Sequence, residues 1–556
     1  MKKRLLFAIL AIMVAVLFVF VSCGDEETTS TPATESVPTT ESTPATQSTP
    51  ATESTPTTQS TPASESTPAT DTTPAESTET APVESTESTP AESTDTTPAE
   101  STRPEPKFSS RDTSNKKWEG QTLNVLTVRY AATAAGPWTQ MELNPEVWGI
   151  SMVQAQENRT AKINELYGVT INWTDALGPQ SLINDLNTAL TSSDTSYEIA
   201  YPRAFELFSL ANNMVYDLNN REYIDFNNTY FSEDAYRIFT LAGHTFFADG
   251  DFNFMNEELS YVLLYNKEML SNELGIDSLY DEVKNDTWTY DKFASLARAV
   301  YKDNGNGEPD DLDTYGFGTK DFKRLYRHFG VYGVQVGEDS EIYEVTENAN
   351  MTRLNKVIEK IIELKTNATW ARETWGGDWG ANLDIGFEQG RILFYTDVCT
   401  SINGLSGHTF TLGVLPFPKL DAEQERYYTA IPGGAQPIFM CIPKTTSDRE
   451  MSDYFFDVLA WTGQDYITPT YVEHKMSGFD METADDDIGI LQNCIWNSIM
   501  YDVASQCYGW STFFGNVESE AVDNGVNNFN QAFQERIEDV MDMLEFINEY
   551  WTDYED

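Results

Sequence analysis

Tyr261-Val262-Leu263-Leu264-Tyr265-Asn266-Lys267-Glu268-Met269-Leu270, followed by Glu273-Leu274-Gly275-Ile276, changes character along its length. Tyr261 to Tyr265 is a short, aromatic and β-branched run of the kind a buried strand needs, and a Leu-Gly turn lies a few residues beyond it. On either side the same alternation of short apolar runs and helical periodicity continues, which is the pattern of an α/β body. Further strands are expected at Leu123 to Val128, Val169 to Trp173, Glu198 to Tyr201, Arg391 to Tyr395, Leu412 to Leu415 and Pro437 to Ile442. Between them Leu182, Ile183, Leu186, Ala189 and Leu190 form one helical stripe, and Leu354, Val357, Ile358 and Ile361 another. From Val526 through Phe529, Phe533, Ile537, Val540 and Leu544 to Ile547, steps of three and four predict one long core-facing helix.

The alternation does not extend to the N-terminus. No Trp or Tyr precedes Trp118, so the first hundred of the 556 residues cannot build a packed core. Lys2, Lys3 and Arg4 stand before an uncharged run from Leu5 to Val21, the basic and apolar regions of a secretory signal. Ser22 and Cys23 then resemble the end of a bacterial lipoprotein signal, which implies lipidation of Cys23 and a protein tethered at the extracellular face of the membrane. An uncleaved membrane anchor is the alternative, and both export the body. Residues 24–106 are a Ser/Thr/Pro/Glu-rich linker with proline every six, then every eight residues. Lacking an apolar face, this tract cannot offset its ordering entropy and is expected to be disordered. As a flexible coil it would hold residues 107–556 roughly 50 Å from the anchor, a span suited to a cell wall, and proline stiffening lengthens it.

The formal charge is −53, and residues 24–106 contribute 16 acids against Arg103 alone, so the body remains strongly acidic. Such a surface repels phosphate backbones and anionic headgroups, which argues against nucleic acid as a partner. Cys399, Cys441, Cys494 and Cys507 permit three pairings or none, and no spacing suggests a metal site. Lys302 to Asp313 has Asn304, Asn306 and Asp313 at calcium-loop positions, but Lys302 occupies the first, where an acid is needed. Neither a metal nor a cofactor is expected. The motifs GxSxG, HExxH, GxxxxGK[ST] and GxGxxG are missing from the sequence.

From Leu123 to about Trp510, six phrases in order resemble the carbohydrate-type extracellular solute-binding proteins of bacterial ABC importers. They include Glu165-Leu166-Tyr167-Gly168-Val169-Thr170-Ile171, Val215-Tyr216-Asp217-Leu218, the Tyr-Asn-Lys stretch quoted above, Thr287-Trp288-Thr289 and Gly413-Val414-Leu415-Pro416-Phe417-Pro418-Lys419. The resemblance implies an α/β, two-lobed periplasmic-binding-protein-like fold with discontinuous lobes and the ligand held between them. Lobe 1 is expected over about 120–248 plus 436–490, and lobe 2 over about 249–435 plus 491–556. Hinge crossings are placed at Asp249 to Asn253 and Ala430 to Gln436, where Gly250, Gly433 and Gly434 could absorb rotation. Thr289 is the expected N-cap of the helix that follows it.

A sugar offers hydroxyl edges and apolar faces, so its site needs aromatics together with fixed polar groups. At strand ends and crossings the candidates are Arg129, Tyr130, Trp138, Arg203, Asp249, Asp251, Phe252, Asp397 and Gln436, with Trp375 and Trp379 flanking a Gly-rich loop. The expected function is non-catalytic capture of a carbohydrate, an oligosaccharide, by a monomer that delivers it to ABC permease subunits. A surface carbohydrate-binding or sensing protein without a transporter and a secreted glycoside hydrolase are the alternatives.

Overall fold

A computed structural model describes residues 113–554 apart from 130–144, 178–180, 193–195, 212, 332–333, 338, 346–347, 374–380, 432–436, 502, 504–520 and 536. All of these belong to the unit Arg103–Asp556, and the expected signal and linker lie outside the described residues. Apart from the short antiparallel pair Thr240–Leu241 and His244–Thr245, the strands in chain order are β1 (Thr122–Arg129), β2 (Thr170–Leu177), β3 (Ile199–Ala200), β4 (Tyr261–Asn266), β5 (Tyr315–Thr319) and β6 (Val334–Val336). They continue as β7 (Tyr343–Val345), β8 (Ala371–Arg372), β9 (Ile392–Val398), β10 (Leu412–Leu415), β11 (Thr429–Ala430) and β12 (Ile499–Met500). The helices that position them are α1 (Pro145–Tyr167), α2 (Ser181–Ser192), α3 (Leu207–Ala211), α4 (Glu233–Phe239), α5 (Lys267–Leu274) and α6 (Tyr290–Val300). After these come α7 (Asn348–Asn367), α8 (Arg449–Met476), α9 (Ala484–Ile490), α10 (Phe529–Glu535) and α11 (Ile537–Thr552).

The stretch Tyr261–Ile276 shows how local chemistry fixes local structure. The last strand residue, Asn266, caps α5 by accepting from the Met269 amide at 2.8 Å, and Gly275 ends the helix at φ +66°, where a side chain would be strained. Thr289 sits at the N-cap position of α6, but its hydroxyl makes no capping bond. Its backbone bridges Lys419 instead, and the Tyr290 amide donates to the Lys419 carbonyl at 2.7 Å.

Two sheets result. In the first, β2, β1 and β3 are parallel, with Thr122 opposite Thr170 and Val125 opposite Ile199. The segment around 438–441 joins antiparallel to β3 through Ala200 and Cys441, and antiparallel to Ala248 through Met440. It pairs through single bridges rather than as the regular strand expected at Pro437 to Ile442. The second sheet is mixed, in the order β8-β5-β9-β4-β10. The chain thus leaves the first sheet after Ala248, builds the second, and returns to insert between β3 and its own departing segment. That double crossing makes the body two-lobed and each lobe discontinuous. α8 packs on α1 in lobe 1, whereas α9 packs beside β10, with its Asp487 accepting from Lys267 at 2.7 Å. The third crossing therefore falls between Met476 and Ala484.

Alternating residues of β1 feed different cores. Leu123 and Val125 join Met152, Ile163, Tyr454 and Phe455 on one face. Leu126 and Val128 join a larger cluster that runs through Phe208, Phe246, Tyr343 and Trp551 to Leu263 and Phe394 of the second sheet. Trp551 of α11 is fully buried, with its ring centre 5.7 Å from Phe208, 5.3 Å from Phe246 and 6.0 Å from Tyr343. Tyr343 donates to the Ile238 carbonyl at 2.9 Å, Ala242 to the Ser340 carbonyl at 2.9 Å, and Asp217 N–H to the Tyr554 hydroxyl at 3.2 Å. A seam of contacts therefore ties the lobes along one side. The single long helix expected from Val526 is described as α10 and α11. Val526 itself is exposed in the preceding turn, because Asn527 accepts from the Phe529 amide and starts α10 there. Among the described residues, no helix is long and apolar enough to cross a membrane.

Candidate functional site

Three polar regions lie where the lobes meet or where strands end. The first is the crossing after Ala248. Asp249 is buried and accepts from the Tyr501 hydroxyl, and Asp251 accepts from Thr468 of α8 at 2.6 Å. Burial raises both carboxyls to about 6. The Tyr501 bond opposes the shift at Asp249 and Thr468 opposes it at Asp251. Glu257, on the same segment, is pushed well above the carboxylate range by burial and then by the charges of Asp249 and Asp251. Further along, Lys475 of α8 pairs with Glu258 in the interior, Tyr471 donates to Glu258 at 2.7 Å, and Lys475 donates to the Cys399 carbonyl at 3.2 Å. Gly250 is a close-approach glycine rather than a free pivot: a Cβ there would meet the Tyr230 carbonyl oxygen at 2.1 Å.

The second region is the end of the second sheet. Lys320, just past β5, lies 2.7 Å from Asp397 of β9 and 3.2 Å from Asp384. Tyr395 donates to Asp384 and stands 3.4 Å from Asp397, which also accepts from Ser401. Burial works against the Lys320 ammonium, but the two carboxylates outweigh it and hold its pKa above the ordinary value. Burial, reinforced by the same carboxylates, drives the Tyr395 phenol far above its usual range. The neighbouring amide of Phe322 donates to Glu373 at 3.0 Å.

The third region is a cavity of about 260 Å³ between the lobes. Arg237 and Ile238 of α4 line it from lobe 1, Gly330, β6 and Tyr343 from lobe 2, and Tyr501 and Val503 from the segment after β12. Tyr501 links it directly to Asp249 on the crossing. Arg426 bridges to Asp234 of α4 at 2.7 Å, a further tie between the lobes.

The sequence candidates are distributed unevenly over this frame. Asp249, Asp251 and Asp397 occupy the first two regions. Phe252 is fully buried in the lobe 1 core, with its ring 5.3 Å from Tyr201 and its carbonyl accepting from Arg159. Arg203 is also fully buried. Its backbone bridges Ile438 and its amide donates to Glu206 at 3.0 Å, whose carboxyl burial pushes up to about 8. Arg129 ends β1 opposite Leu177, and its side chain lies outside the described residues. Tyr130, Trp138, Trp375, Trp379 and Gln436 lie outside them altogether, as do Gly433 and Gly434. Lys320, Asp384, Arg237, Gln335 and Tyr501 were not among the candidates. Lys320 carried the signal that selected Asp397, a charged residue at the end of a buried strand. Arg237 sits on a helix of two turns, too short for periodicity to reveal.

The calcium-like loop is closed on itself. Asn304 and Asn306 both donate to Asp310, Asp303 accepts from the Gly305 and Gly307 amides, and Lys302 turns outward to Glu273. Among the described residues, no group of His, Cys, Asp and Glu is arranged to hold a metal ion. Cys399, Cys441 and Cys494 are free thiols, and burial raises Cys399 to about 12, which keeps it unreactive.

No family model matches the chain, and no curated protein matches it. Solved structures do. A cyclo/maltodextrin-binding protein complexed with maltotetraose is 11% identical, covering 75% of this chain and 97% of its own at a TM-score of 0.49. An ABC substrate-binding protein from Listeria monocytogenes in complex with cycloalternan is 12% identical, with 77% and 99% covered at 0.46. A family 1 extracellular solute-binding protein from Bifidobacterium longum subsp. infantis is 13% identical, with 78% and 99% covered at 0.46. This chain is similar to those solute-binding proteins.

Proposed function

We propose that the protein is the lipid-anchored, extracellular substrate-binding component of an ABC importer, and that it holds a carbohydrate, an oligosaccharide, between its lobes. The observation that carries this reading is the cavity lined from both sides of the crossing by Arg237, Gln335, Tyr343 and Tyr501. A guest touching α4 and β6 together favours the arrangement that brings them close, by its differential affinity for that state. Arg237 and Gln335 supply donors for hydroxyl edges, while Tyr343, buried in the seam, forms part of the wall beside them. At about 260 Å³ the cavity is smaller than most small-molecule sites, so a longer glycan extends beyond it. The signal and Cys23 support the anchor, residues 24–106 the reach, and ABC permease subunits are the partners that complete the cycle.

The test is calorimetric titration of residues 24–556 with panels of oligosaccharides and peptides, followed by assay for new reducing ends. One glycan class should bind saturably and be recovered intact. Arg237→Ala or Gln335→Ala should weaken it about tenfold, the loss of one to two hydrogen bonds. Binding restricted to peptides would remove the carbohydrate reading, and release of reducing ends would favour a hydrolase.

A further inference from the structure

Arg159 of α1 enters the interior of lobe 1, where it is fully buried. Among the described residues only Nη1 has a hydrogen-bond partner, the Phe252 carbonyl at 2.8 Å, while Nε and Nη2 have none. Its surroundings are the face of Trp173, 5.8 Å from the guanidinium carbon, and the ring of Tyr201. Tyr201 is itself buried, and its hydroxyl also lacks a partner. Burial raises its pKa, so the hydroxyl keeps its proton to donate. Two more buried donors without partners lie close along the chain: Nε2 of Gln156, one turn earlier on α1, and Nδ2 of Asn253, the residue after Phe252.

Burying a charge without a counter-charge costs several kcal/mol, and each unsatisfied donor adds to it. Carboxylates are not scarce: the chain has 88 acids against 35 Lys and Arg, and another fully buried cation, Lys475, is paired with Glu258. At Arg159 the described residues instead gather donors and provide no acid. A set of donors around a cation is complementary to an anion.

We propose that Arg159 and Tyr201 form a binding site for a small monovalent anion of the halide or carboxylate class, at the inner end of the first crossing. The anion has two possible sources: a free ion from solvent, or the carboxylate of an acidic sugar held between the lobes. Only the second rests on the function proposed above. Because Phe252 belongs to the crossing and shares the guanidinium, occupancy also couples the site to the hinge.

The test is thermal unfolding of residues 24–556 with chloride, acetate, glucuronate or neutral glucose, the anions exchanged against sulfate at fixed ionic strength. The wild type should be stabilised saturably by at least one of the monovalent anions. Tyr201→Phe should raise the half-saturating concentration about fivefold or more, and Arg159→Met should abolish the effect. Saturation by chloride and acetate assigns a free ion; saturation by glucuronate alone, with glucose silent, assigns an acidic sugar. If Arg159→Met fails to fold, Tyr201→Phe still decides. No saturable response to any of the three anions, or an identical response in Tyr201→Phe, overturns the proposal. Bromide soaked into crystals gives an independent readout: anomalous density within hydrogen-bonding reach of Arg159 is expected, and bromide density elsewhere but not there counts against the site.

Discussion

Replacing Asp251 by Asn should make the protein less sensitive to alkaline pH. The carboxyl titrates at about 6 in the fold against an ordinary 3.8, because burial disfavours its charge and Asp465 adds repulsion while Thr468 opposes the shift. The folded state therefore binds this proton more tightly than the unfolded chain does. The resulting stabilisation is fully present below pH 3.8, declines as pH rises through 6, and is gone at pH 8. The rise from 3.8 to about 6 corresponds to about 3 kcal/mol. Asn keeps an oxygen able to accept from the Thr468 hydroxyl, so the hydrogen bond at 2.6 Å survives and only the charge is lost. Removing it also eases Asp249, on which Asp251 acts repulsively. Urea unfolding at pH 5 and pH 8 should show Asp251→Asn gaining about 1–3 kcal/mol over wild type at pH 8 and less at pH 5. An unchanged difference between the two pH values, or a loss at pH 8, would refute the account of a carboxylate held against its will at the crossing.

Trp551→Ala should cost about 3–5 kcal/mol in urea unfolding, since a fully buried indole is lost among three aromatic rings from both lobes. Hydrogen exchange should quicken around Phe208 and Tyr343 together; a change confined to α11 would mean the seam is local. Lys475→Met should destabilise by about 3–5 kcal/mol by leaving the Glu258 carboxylate buried without its cation. Adding Glu258→Gln should recover much of that loss, and additive losses would show the pair is not coupled.

Much of the fold is legible because it is written locally. The apolar run of β4, the Asn266 cap and Gly275 lie within fifteen residues, and the stripe of Leu182, Leu186 and Ala189 is buried as its spacing requires. The β1 pattern is less plain, since both faces of that strand are covered and alternation gives way to a continuous run. The candidate site was harder to read because its contacts span long separations: Tyr501 reaches Asp249 across 252 positions, and Lys320 reaches Asp397 across 77. Position on the expected crossing selected Asp249 and Asp251, and position at a strand end selected Asp397. The same two rules selected Phe252 and Arg203, which the fold buries completely, because the segments after β3 and at the crossing run through the lobe 1 interior. Leu190, on the predicted stripe, is exposed, as the helix has turned its last residues from the core.

The aromatic seam through Trp551 and Tyr343 has a mechanical consequence. Halves fastened down one flank swing as a door does on its jamb, and the free flank travels farthest. On the function proposed above, the cavity bounded by Ile238 and Tyr343 lies at the post, so its own walls would move least, and the part of a glycan extending beyond it would meet the walls that move most.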